Sequence, residues 1–107
     1  MINDSQIKGL GKLVNSDVIG NIYPIIGEIE VSHSTLENLD VLHLDIYLND
    51  PEANEENLWD KFQFDHHWLI DHHIRKLLPY LGINNDITLI RYTIYNTDFE
   101  MLETNDF

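Results

Sequence analysis

The 107-residue chain contains no cysteine. That excludes disulfide staples, thiolate-ligated zinc or iron–sulfur centres and a thiol nucleophile. Base is scarce: 6 Lys plus Arg stand against 19 Asp plus Glu, a net charge of −13 with His neutral. A chain so poor in cations is unsuited to gripping nucleic-acid phosphates or an anionic membrane surface. No apolar run reaches the ~18 residues that a membrane-spanning helix requires. Near the N-terminus Ile7, Leu10, Leu13 and Val14 are broken up by Lys8, Gly9, Gly11 and Lys12, which is not a secretory pattern. A cytoplasmic protein is the expectation. Catalytic signatures are missing as well. Gly9-Leu10-Gly11 lacks the partners of a phosphate-binding loop, and no Gly-x-Ser-x-Gly elbow occurs. The expectation is a non-enzyme without a cofactor.

Apolar residues make up 43% of the chain, too many for a disordered one and enough for one small core. We read residues 1–107 as a single domain. Residues 4–14 carry Ile7, Leu10 and Val14 on one helical face, with Asp4 or Ser5 as cap, although Gly9 and Gly11 weaken that helix. Residues 22–32 read as a strand with Ile25, Ile29 and Val31 on one face and Ile26, Glu28 and Glu30 on the other. Pro24 and Gly27 mark it as a strand start or sheet edge with a bulge. Residues 33–40 read as a polar turn, with room for a short helical turn capped by Ser34.

Residues 41–48 alternate without exception: Leu42, Leu44, Ile46 and Leu48 belong to a core, while Val41, His43, Asp45 and Tyr47 face away. Strict alternation predicts one covered and one wet sheet face. A helix is expected over 55–62, started by Asp50-Pro51 or Asn54. After a break near Gln63–Phe64, a second helix runs over 66–78, capped by Asp65 and stopped by Pro79 and Gly82. Residues 87–95 read as a strand apolar enough on both faces to lie inside the sheet. The acidic tail, 96–107, is expected to fray, with Phe99, Met101 and Leu102 able to extend pairing. The resulting expectation is an α+β fold. It comprises a mainly antiparallel sheet of about three strands in ββαβ order, a weak N-terminal helix, and helices on one face.

Charge is distributed unevenly. Residues 21–50 hold six acids and no base. Glu28, Glu30, Glu37, Asp40, Asp45 and Asp50, with Tyr47 as an aromatic anchor, are the expected partner-binding set. A second constellation is Asp65-His66-His67-Trp68-Leu69-Ile70-Asp71-His72-His73. On an α-helix His66 and His73 share a face but stand about 10.5 Å apart along the axis, too far for one metal ion. His67 and Asp71 can meet, and supply only two ligands. His66, His67, Asp71 and His73 are therefore weak metal candidates, and half-buried structural histidines are the plainer reading.

These features favour a small acidic protein-binding module that neutralises a basic partner. It could be an immunity protein against a nuclease-type toxin. It could equally be a phage-encoded inhibitor that imitates nucleic-acid charge against a nucleic-acid-binding enzyme. Two alternatives stay open: a structural subunit of a phage or secretion assembly, and a metal-dependent or acid–base enzyme built on the histidine cluster.

Overall fold

Asn3, rather than Asp4 or Ser5, starts the first helix in the computed structural model, which describes residues 2–18 and 23–106. Its side chain accepts from the Gln6 N–H at 2.8 Å, and the Gln6 side chain accepts from the Asn3 N–H at 2.9 Å. This reciprocal box satisfies two orphan donors of helix α1, Asp4–Leu13. α1 runs on into a π-helical turn, Val14–Val18. Gly9 weakens α1 in isolation but sits at a close contact. A Cβ there would sit 2.9 Å from Leu81 Cδ2, so a larger residue would push the tip of the Leu81 side chain aside where α1 meets the 3-10 turn Leu78–Leu81.

Strands β1, Ile26–Leu36, and β2, Leu39–Leu48, form an antiparallel hairpin. The turn is only Glu37-Asn38, with Glu37 at φ 57. The polar stretch 33–40 is thus mostly strand, correcting the expected turn. Pairing with the strongly patterned β2 overrides its weak local preference. A bulge between Ile26 and Glu28, at Gly27, rotates Ile26 out of the Glu28–Glu30 face and into the core.

The chain then crosses to β3, Thr88–Tyr95, through residues 49–65 and α2, the helical run 66–81. That crossover places β3 parallel to β2, in register from Asp40↔Thr88 to Tyr47↔Tyr95. Strand β4, Met101–Asp106, returns antiparallel on β3. The expectation of about three mainly antiparallel strands is therefore corrected to a four-stranded mixed sheet, order β1-β2-β3-β4. The acidic tail supplies the additional strand.

No helix forms over 55–62, which is a chain of turns. The asparagines explain this. Asn54 Oδ1 accepts from the N–H groups of Glu56 and Asn57, and Asn57 Oδ1 accepts from the Asn54 N–H. Such side-chain bonds compete with the helical ladder. The second expected helix does form. Asp65 caps it by accepting from the Trp68 N–H at 3.1 Å, and Gly82 ends it in the left-handed region at φ 73. Its middle, Leu69–Ile74, is π-helical, so α-helical angular arithmetic does not hold across the histidines.

Leu10 from α1, Val14 from the π-helical turn that follows it, and Leu69, Ile70, Ile74 and Leu78 from α2 pack on the strand residues Ile29, Leu44, Ile46, Ile90, Tyr92 and Ile94. All these helix residues are fully buried. Both helices thus cover one face of the sheet, and the other face stays open.

Candidate functional site

The open face is built by strand alternation plus register. Residues that share a ladder position line up in rows across the four strands. One row is Glu28, Tyr47, Tyr95 and Met101. The next is Glu30, Asp45, Thr93 and Thr104. A third is Ser32, His43, Arg91 and Asp106.

The first row is aromatic. Tyr47 and Tyr95 stack with ring centroids 5.0 Å apart and planes 14° from parallel. Phe99, from the β3–β4 turn, meets Tyr47 edge-on at 5.9 Å. Phe99 stands at φ 61 and remains 74% exposed, and Met101 is 61% exposed. The strained turn residue and the bare methionine extend the tyrosine pair into an apolar platform at one end of the sheet.

The second row is acidic. Glu30 and Asp45 stand directly opposite one another, with Glu28 two residues from Glu30 on the same strand. Burial, then the facing Glu30 carboxylate, push Asp45 above the usual carboxylate range, against an opposing pull from His43. Burial and the Glu30 and Asp45 charges push the Tyr47 hydroxyl up as well. The cation in the third row brings no free positive charge. Arg91 Nε and Nη2 donate to the two Asp106 carboxylate oxygens at 2.6 and 3.1 Å. Next to it, Ser34 Oγ lies 2.8 Å from His43 Nε2.

Of the seven expected partner-binding residues, the fold unites four: Glu28, Glu30, Asp45 and Tyr47. Glu37 lies in the hairpin turn at the far end of the sheet, and Asp50 follows β2 at the near end, where its Oδ1 accepts from the Glu52 N–H. Asp40 lies on the other face. It is 7% exposed, and its Oδ1 accepts from the Ile2 N–H at 3.4 Å. The alternation that sends Leu42 inward sends Asp40 inward too. Tyr95, Phe99 and Met101 are the members that sequence reasoning missed. Tyr95 shares a parity with Arg91 and Thr93 in the sequence, but only the parallel register sets it against Tyr47.

The histidine cluster does not converge. Among the described residues no group of three or more His, Cys, Asp or Glu is placed to hold a metal ion. His66 Nε2 turns to Glu103 Oε2 at 3.3 Å, while His72 stacks on Trp68 at 3.7 Å. Asp71 Oδ1 lies 3.9 Å from Arg75 Nε. His66 and His73 are both half-buried, and burial lowers the pKa of each.

No protein-family model matches the sequence. No curated protein matches it either. Among solved structures, the chain is similar to a pilotin from the Vibrio vulnificus type 2 secretion system, EpsS. The similarity covers 97% of this chain and 92% of that one, at 14% identity and a TM-score of 0.38. A superposition that loose transfers neither fold nor function.

Proposed function

We propose that this protein is a binding module that docks a basic protein partner on the open face of its sheet. The observation that carries the reading is the Tyr47–Tyr95–Phe99 platform flanked by Glu28, Glu30 and Asp45, with the neighbouring arginine already neutralised. Aromatic side chains at the centre of a patch supply most of an interface's affinity, and acids around them set orientation and association rate. A partner lysine or arginine gains twice here, from the aromatic faces and from the carboxylates. The stated partner class is a protein with a lysine- and arginine-rich surface, such as a nuclease or another nucleic-acid-binding enzyme. Covering that surface would inhibit it.

An arginine-rich peptide titrated into the protein at low and high salt tests the reading. Tyr47→Ala is expected to weaken binding by about 2 kcal/mol, as an interface anchor does. Glu30→Gln with Asp45→Asn flattens the salt dependence. Wild-type-like binding by both variants overturns the proposal.

A further inference from the structure

A recess on the helix side of the sheet is left unused by the open-face reading. It lies where the turn segment 51–63 meets the start of α2 and strand β4. Trp59, Phe64 and His66 wall it, Glu55, Glu56 and Glu103 edge it, and its volume is about 250 Å³. An adjoining recess of about 270 Å³ shares Trp59, Phe64 and His66 and adds Asp65. Trp59 is 61% exposed, and its indole is the strongest cation-binding ring that a side chain offers.

The cation closest to Trp59 in sequence is engaged elsewhere. Lys61 is held by Glu52 and lies 5.5 Å from the Phe62 ring centroid. Among the described residues Glu55 and Glu56 have no ion-pair partner, and Glu103 has only His66 Nε2. His66 Nδ1 is buried without a hydrogen bond, and the ring packs on Tyr92 with centroids 5.1 Å apart. Aromatic walls and three carboxylates repel an anion and suit a donor that carries positive charge.

We propose that this recess binds an alkylammonium group: a primary or methylated amine on an aliphatic stem. The amine lies against Trp59 among Glu55, Glu56 and Glu103, and the stem packs on Phe64. The chemistry is common to a free polyamine and a protein lysine side chain. The site is separate from the open sheet face and stands or falls independently of it.

The test uses the full chain carrying Trp68→Phe, so that Trp59 is its only tryptophan. Spermidine, a lysine-containing glycine peptide and neutral pentanediol are each titrated in by calorimetry and by Trp59 fluorescence. At least one of the two amines is expected to bind and to change Trp59 emission. Binding of spermidine alone identifies a small-molecule ligand, and binding of the peptide alone identifies a protein lysine. Glu103→Gln, and separately Glu55→Gln with Glu56→Gln, weaken binding about tenfold. Trp59→Leu weakens it about threefold to fivefold by calorimetry. Asp86→Asn, exposed and in neither site, leaves it unchanged. The edge and wall positions substituted are partly or fully exposed, and circular dichroism verifies that the variants are folded. The proposal is overturned if neither amine binds or if the diol binds as well. It is also overturned if the Trp59 emission change survives the glutamate substitutions or is lost through Asp86→Asn alone.

Discussion

Replacing Asp45 by asparagine should stabilise the fold while weakening the binding face. Glu30 and Asp45 are direct cross-strand partners, so their Cβ atoms stand about 5 Å apart. Two carboxylates at roughly 5.5 Å repel by about 0.8 kcal/mol in a water-like dielectric, before salt screening. Measured cross-strand pairs span about 0.2–1 kcal/mol. Asp45→Asn removes this repulsion and keeps the side-chain shape. The gain is expected within that range at neutral pH and low salt, a rise of about 1–5 °C in Tm for a domain of this size. The pH dependence fixes the cause. Burial and Glu30 raise the Asp45 pKa in the folded state, so the native protein holds its proton more tightly than the unfolded chain. This contribution to wild-type stability is complete below the unfolded pKa and is lost as pH rises through the folded one. The variant does not suffer that loss. Urea melts of both proteins across this range should therefore coincide in acid and separate at neutral pH. An asparagine variant that is less stable at neutral pH, or equally more stable in acid, would refute charge repulsion as the origin.

Three further expectations can be checked on the same apparatus. Glu37→Gly should stabilise the hairpin by about 1 kcal/mol, because a non-glycine residue at φ 57 carries a steric cost that glycine lacks. Equal or lower stability in a urea melt would contradict a strained turn. Tyr92→Phe should change stability by no more than about 1 kcal/mol, since the buried hydroxyl makes no well-formed hydrogen bond and has only a weak contact with the Asn105 side chain. The Tyr92 pKa is pushed up to about 12, chiefly by burial, so its titration cannot confuse melts near neutral pH. Burial also lowers the His66 and His73 pKa values from 6.5, so the unfolded chain takes up protons first. Their contribution is present above pH 6.5 and declines as pH falls through the folded values. His66→Gln with His73→Gln should flatten that part of the stability–pH curve, whatever the variant's absolute stability.

Much of the covered face was legible because β2 spells it out: Leu42, Leu44, Ile46 and Leu48 all enter the core. The Asp65 cap and the Gly82 stop were equally local, and both stand. Parallel pairing of β3 with β2 was not legible, because the side-chain period is 2 whichever way a neighbour runs. Residues 55–62 carry helical apolar spacing, yet Asn54 and Asn57 close turns with their own side chains, which periodicity does not register. The site divides in the same way. Glu28, Glu30, Asp45 and Tyr47 came from alternation within the hairpin strands. Tyr95, Phe99 and Met101 join them only through β3 and β4. Asp40 should have been set aside, since the pattern that fixes Leu42 fixes it as well.

Amide shift mapping with the arginine-rich peptide tests the central claim most directly. The account predicts perturbations concentrated at Glu28, Glu30, Asp45, Tyr47, Tyr95 and Phe99, fading as salt is raised. Perturbations confined to the helix side, around Trp68, Asp71 and Tyr80, or none at any salt, would contradict it.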